Sequence, residues 1–396
     1  MAVAKKMAHF MENASWIRSI FEEGGRRKKI YGPENVFDFS LGNPNVPPPP
    51  EVREKLLTIV RDGEEGMHGY MPNAGYESTR TALADYLAKD YGVPFTPGGI
   101  VMTCGAAAAI NIVLKALLDP GDEVLTCAPY FVEYGFYTDN HGGVLSVATT
   151  LDDFSLDLEA MEKALTPRTK VVLINSPNNP TGKIYSHECI RRLGELLEAK
   201  GREFGSAIYL LADEPYRKIV YSDSKPPSIF EYYRNSLVAA SYSKELSLPG
   251  ERIGFAAVHP EAEDGDGIAG ALVLANRILG FVNAPALMQR LITELQGKCV
   301  DVDVYRRKRD RMVKSLSMMG YELVNPEGAF YLFPKSPLPD ELRFLELLQE
   351  ENILVVPGRG FGSPGYFRIA YCVDDHTIEA SLPGFGRAIE RAKGLV

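Results

Sequence analysis

Five short apolar runs, "DEVLTC", "KVVLINS", "AIYLLAD", "SLVAAS" and "IGFAAV", constrain the fold of this chain more than any other feature. Each is continuous rather than alternating, so a strand made from it has no solvent face and must be covered on both sides. Helix-patterned stretches such as "STRTALADYLAKDYG" and "AAAAINIVLKALLDPG" precede and separate these runs. The pattern predicts an α/β fold with a mostly parallel, doubly wound sheet. After Pro285 it changes: one long helical stretch is followed by "YELVNP", "AFYLFP", "ILVVPG" and "FRIAYC", short strands of a smaller α+β unit. The segment "SLGNPNVPPPPEV", residues 40–52, holds too much proline for regular structure and reads as a crossover. The expected division is a large unit at 50–285 and a smaller one formed by 1–49 together with 286–396.

Composition excludes several classes. A length of 396 residues suits about two domains. The formal net charge of −9 provides no basic field for nucleic acid. No apolar run has the length of a membrane span, "AGALVLA" being among the longest. Near the N-terminus Glu12 and Arg18 break any signal-peptide core, while Phe10, Ala14, Ile17 and Phe21 recur at helical spacing and predict an amphipathic docking helix. The five cysteines are scattered, odd in number and without CxxC spacing, which predicts buried free thiols and a cytoplasmic chain.

In open α/β sheets functional residues gather beyond the carboxyl ends of the strands. Four motifs fall there. In "TCGAAAA", Gly105 turns the chain into a helix whose first amides can hold a phosphate. In "NSPNNPTGK", a turn after an apolar strand carries Asn179. In "YLLADEPYRK", Asp213 ends an apolar strand, where an isolated carboxylate takes up a proton or finds a cation. In "SYSKELSLPGERIGF", Lys244 sits among hydroxyl and apolar side chains, with Ser241 and Arg252 as anion donors nearby. Desolvation lowers a lysine's pKa and prepares its amine for Schiff-base chemistry. Lysine, carboxylate and phosphate cup together are the parts that pyridoxal phosphate requires. Each motif alone also has a bland reading as tight packing, a turn or a cap.

With these residues in place, the chain resembles the class I/II aminotransferases of pyridoxal-phosphate fold type I, from about residue 38 to about residue 390. "SYSKELSLPGERIG" fits the family's lysine signature, and "NNPTG" and "ADEPY" match two further motifs in the expected order. The resemblance implies Lys244 as the Schiff-base residue, Asp213 at the ring nitrogen, and Asn179 and Tyr216 at the phenolate oxygen. It implies Ser241, Arg252 and the amides of Gly105, Ala106 and Ala107 at the phosphate, with Phe131 of "CAPYFVEY" stacked on the ring. Tyr70 of "GYMPNAGYESTRTAL" is implied to reach the phosphate of a partner subunit in a homodimer. Arg368 of "FRIAYC" is implied to clamp the substrate α-carboxylate, with Asn179 beside it and Gly42 of "FSLGNP" against the substrate. The implied activity is ping-pong transamination from an L-amino acid of the aspartate, alanine or aromatic type to a 2-oxo acid such as 2-oxoglutarate. A carbon–sulfur β-lyase on the same fold is the alternative.

Two departures bear on specificity. Ala107 stands where relatives often carry serine, threonine or lysine, and "NRILGFVNAP" shows no arginine in the register used by one dicarboxylate-specific branch. Rival motifs fall away. "SYSK" lacks the companion S-D-N and K-T-G motifs of the penicillin-binding proteins. "GDGIAG" follows "HPEAED" rather than a strand and reads as a surface loop. The stretch ahead of the family-like region, about forty residues, is too short for the DNA-binding domain of aminotransferase-like regulators. His68, near Tyr70, reads as a loop histidine without a role, with lining of the site as the alternative.

Overall fold

The computed structural model describes residues 2–12, 16–63, 65–222 and 225–395. Twelve strands follow in chain order: β1 (Phe37–Asp38), β2 (Ile100–Thr103), β3 (Glu123–Ala128), β4 (Val144–Thr149), β5 (Thr169–Asn175) and β6 (Tyr209–Asp213). Then come β7 (Ser236–Ser241), β8 (Gly254–Val258), β9 (Tyr331–Leu332), β10 (Ile353–Leu354), β11 (Val356–Pro357) and β12 (Phe367–Ala370). A seven-stranded sheet runs in the order β2-β8-β7-β6-β5-β3-β4. It is parallel from β7 through to β4, whereas β8 pairs antiparallel with both β7 and β2. The reversal has a local cause. The connection from β7 to β8 carries only a 3-10 turn, with no crossover helix to bring the chain back in parallel.

Alternate residues of the same strands feed two cores. Val171, Leu173, Leu211, Leu237 and Val258 belong to one, with Ile110 and Val113 of the helix Ala106–Leu117. Val172, Ile174, Leu210, Val238 and Ala257 belong to the other, with Ile190, Leu193 and Leu197 of the helix His187–Phe204. Coverage on both faces is why these strands show no polar alternation. A further core draws on Phe39, Tyr216, Tyr305, Phe330, Phe344, Phe367 and Phe385. There β1 pairs parallel with β10, and β11, β12 and β9 form a three-stranded antiparallel sheet. The N-terminal segment is thereby tied to the C-terminal unit. Among the described residues no helix is long and apolar enough to cross a membrane.

Several local expectations are corrected. The proline-rich segment becomes helical at its end, because Pro50 opens the helix Pro50–Asp62, a first-turn position where its missing N–H costs nothing. The stretch after Pro285 is two helices, Ala286–Thr293 and Val302–Met319, the second capped by the Asp301 side chain. The first of these packs in a sheet-side core through Met288, Leu291 and Ile292, not in the smaller unit. "GDGIAG" is the opening of the helix Gly265–Ile278 rather than a loop, and Ile268 and Leu272 are buried against the sheet. "YELVNP" forms no strand, and "ILVVPG" divides between β10 and β11 in different sheets.

The N-terminal docking helix becomes two helices, Lys5–Glu12 and Trp16–Tyr31. Phe10 meets Phe136 edge-on with ring centroids 4.8 Å apart. Ala14 and the side chains of Ile17 and Phe21 lie outside the described residues.

Candidate active site

A cavity of about 510 Å³ opens beyond the carboxyl ends of β5, β6 and β7, where the sheet meets the third core. Local backbone chemistry builds its floor. Gly105 has φ +89°, a conformation that admits glycine freely, and it turns β2 into the helix Ala106–Leu117. The first amides of that helix have no partner within it. Beside them Arg252, itself left-handed at φ +52°, reaches from the loop before β8 and donates to the Cys104 carbonyl at 3.2 Å. Gly105 also makes room for this guanidinium, since a Cβ there would lie 2.8 Å from Nη2. Ala106, Ala107, Ser241 and Arg252 all line the cavity, a donor set that fits a phosphate dianion.

Lys244 points into the same space. Its Nζ donates to the Gly42 carbonyl at 2.7 Å and stands 5.6 Å from the Phe330 ring centroid. Among the described residues no carboxylate pairs with it. Burial lowers its pKa to about 8; the Cys372 thiol opposes this, and the Arg368 and Arg252 guanidiniums add to it. An amine in that range is neutral often enough near pH 8 to act as a nucleophile.

Asp213 ends β6 with its carboxyl buried. Oδ2 accepts from Tyr134 at 2.6 Å, while Oδ1 is buried with no hydrogen-bond partner. Burial raises the Asp213 pKa to about 7, the Tyr134 hydroxyl working against this and Glu214 adding to it. An unpaired carboxylate oxygen on the wall of a cavity fits a ligand N–H, such as a protonated pyridine nitrogen. Behind it, Asn175 donates to the Asp213 carbonyl at 2.8 Å and accepts from the Asn179 amide at 2.7 Å.

Arg368, in β12, is only 2% exposed. Its Nη1 donates to Asn179 Oδ1 at 2.9 Å and its Nη2 to the Ser40 carbonyl, while Nε is buried without a partner. Its guanidinium lies 4.7 Å from the Tyr331 ring centroid and 4.9 Å from that of Phe361. Among the described residues it too has no carboxylate partner. A buried, unneutralised guanidinium facing a cavity is suited to a ligand carboxylate.

Gly42, Phe131, Asn179 and Tyr216 line the cavity with these groups; Gly105 does not, but lies against the Arg252 guanidinium that does. Tyr70 does not; it is 94% exposed and away from the cavity of its own chain. Neither does His68 line it. The sequence reading missed Tyr134 and Tyr331. Tyr134 lies three residues after Phe131, in the turn that opens the helix Glu133–Asn140, where its amide donates to the Phe131 carbonyl at 3.1 Å, so it was open to inference. Tyr331 sits in the apolar run "AFYLFP" and gave no signal. Its hydroxyl is 2.7 Å from that of Tyr216.

The family model described as aminotransferase class I and II matches residues 34–382. A solved amino transferase from Eubacterium rectale is 42% identical, with TM-score 0.95 and coverage of 99% of each chain. A solved aspartate aminotransferase from Thermus thermophilus, with maleate, is 27% identical with TM-score 0.86, covering 98% of this chain and 100% of that one. A curated probable aspartate/prephenate aminotransferase from Aquifex aeolicus is 31% identical over 376 residues, 90% of this chain and 91% of its own.

Proposed function

Because the chain belongs to the class I and II aminotransferase family, we propose that Lys244 holds the family's cofactor covalently and that the cavity around it passes an α-amino group from an L-amino acid to a 2-oxo acid. The chain is a pyridoxal-phosphate-dependent transaminase. One observation supports this placement of the chemistry above the others. Among the described residues, an amine without a carboxylate partner and a carboxylate with an unpaired oxygen line the same cavity.

When bound, pyridoxal phosphate supplies an electron sink that acidifies the Cα–H of an attached amino acid. The chain's own groups do the rest. Asp213 would keep a proton on the ring nitrogen, and Tyr216 and Asn179 would donate to the phenolate oxygen. The helix start at Ala106 and Ala107, with Ser241 and Arg252, would hold the phosphate, and Phe131 would cover the ring. Arg368 grips the substrate carboxylate through its two-nitrogen fork and so orients Cα–H toward Lys244. The Lys244 amine, once displaced, takes that proton and later returns it, as general base and then general acid.

Aspartate is the first donor to test, since the named relatives include aspartate aminotransferases, followed by alanine and the aromatic amino acids, each with 2-oxoglutarate as acceptor. A homodimer in the cytoplasm is part of the proposal; the free cysteines fit a reducing compartment. The test is Lys244→Ala. Turnover should vanish, and borohydride should fix cofactor to the wild-type chain but not to the variant. Near-normal transamination by Lys244→Ala would defeat the assignment, and release of pyruvate and ammonia from cysteine conjugates without an oxo acid would point to the lyase.

A further inference from the structure

We propose that Tyr331 is a positioning residue that relays the charge state of Arg368 to the Tyr216 hydroxyl, and through it to the cofactor's phenolate oxygen. The proposal rests on the assignment of Tyr216 to that oxygen made above. Three contacts carry it. The Tyr331 hydroxyl lies 2.7 Å from the Tyr216 hydroxyl, and among the described residues neither group has another hydrogen-bond partner. The face of the Tyr331 ring lies 4.7 Å from the Arg368 guanidinium. Gly42 makes room for the hydroxyl, because a Cβ at that position would occupy the space of the Tyr331 oxygen.

The direction of the hydrogen bond follows from the role assigned to Tyr216. Burial raises both phenols, to about 12 at Tyr331 and well above the ordinary tyrosine value at Tyr216, and the Arg368 charge works against the rise at both. Tyr216 is assigned to donate to the phenolate oxygen, which leaves Tyr331 as the donor between the two hydroxyls. The Tyr216 proton then faces the cavity, and a hydroxyl that accepts one hydrogen bond is a better donor of the next. A carboxylate docked on Arg368 offsets the charge over the Tyr331 ring and weakens both donors. The phenolate oxygen then keeps more of its negative charge, and the lysine nitrogen beside it becomes more basic. Occupancy of the carboxylate site is in this way read at the group that an incoming amine attacks.

The experiment is a pH titration of the visible band of the cofactor-loaded enzyme. Tyr331→Phe keeps the ring on Arg368 and removes only the hydroxyl. Its band should titrate higher than wild type by roughly half a pH unit or more. Tyr216→Phe/Tyr331→Phe should titrate with Tyr216→Phe alone, because the relay ends at Tyr216. The shift caused by Arg368→Gln should be smaller in the Tyr331→Phe background than in wild type. A Tyr331→Phe midpoint at the wild-type value, a further shift in the double variant, or equal Arg368→Gln shifts in both backgrounds would each overturn the relay. A wild-type enzyme with no band that borohydride can fix to Lys244 would instead defeat the cofactor assignment, so the two failures are distinct.

Discussion

Asp213 carries its own pH test. Its pKa is about 7 in the folded chain against 3.8 for the free side chain, with burial as the main cause. A carboxyl whose folded pKa is raised binds its proton more tightly in the native state. Its contribution to stability is therefore full below about pH 4 and is lost as pH rises through about 7. Asparagine at this position does not titrate. Without cofactor, Asp213→Asn should gain on wild type by about 2–3 kcal/mol between pH 5 and pH 7. Thermal melts of the two cofactor-free proteins across that range measure the gap, and a constant gap would mean that Asp213 does not titrate there. With cofactor bound the sense reverses, since the unpaired oxygen gains a cationic partner that asparagine cannot match.

At the scale of elements, two junctions hold the site. The first is β8 against the start of the helix Ala106–Leu117. Gly254 lies so close to Gly105 that an added Cβ would stand 2.8 Å from the Gly105 Cα and would also meet the Ala240 carbonyl. Gly254→Ala should push β8 off the phosphate cup and weaken pyridoxal phosphate at least tenfold, read by titrating the visible band. Unchanged affinity would show that the cup tolerates the shift. The second junction ties the end of β6 to the helix Glu77–Tyr91. Buried Arg217 donates to Asp90 at 2.9 Å, lies 3.4 Å from Glu214, and stacks 4.1 Å from the Tyr91 ring centroid, while Tyr91 donates to Glu214 at 2.5 Å. Arg217→Ala leaves Glu214 with Tyr91 and Asp90 with Lys225 and should cost about 1–3 kcal/mol, measured by denaturant unfolding.

For the whole molecule, the sheet-side cores extend through Leu295 and the third core takes over from Val300, joined by Phe39, Val46, Tyr216, Ile219 and Tyr221 from earlier in the chain. We propose a two-unit division whose C-terminal seam falls between the expected residue 285 and Val300, with the N-terminal strand β1 joining the C-terminal unit. Tyr70 belongs to this scale too. At 94% exposure and outside the lining of its own chain's cavity, it fits a side chain directed at a second subunit. Sedimentation should find a dimer. Tyr70→Phe should weaken pyridoxal phosphate about tenfold, the worth of one hydrogen bond to a charged group, without changing the melting of the cofactor-free form. A monomeric enzyme of full activity would refute this arrangement.

The parallel sheet, the lysine, the aspartate and the glycine-led helix start were legible along the chain, because each depends on local rules: unbroken apolar strands, turn chemistry, and a cation among apolar neighbours. What the chain could not reveal is which groups are left unsatisfied once it folds. The free Asp213 oxygen, the carboxylate-free surroundings of Arg368 and the Tyr331–Tyr216 contact join residues 100 or more positions apart in several cases, and no periodicity reports on them. The helix at "GDGIAG" was likewise decided in three dimensions, where burial of Ile268 and Leu272 outweighed what the local residues favoured.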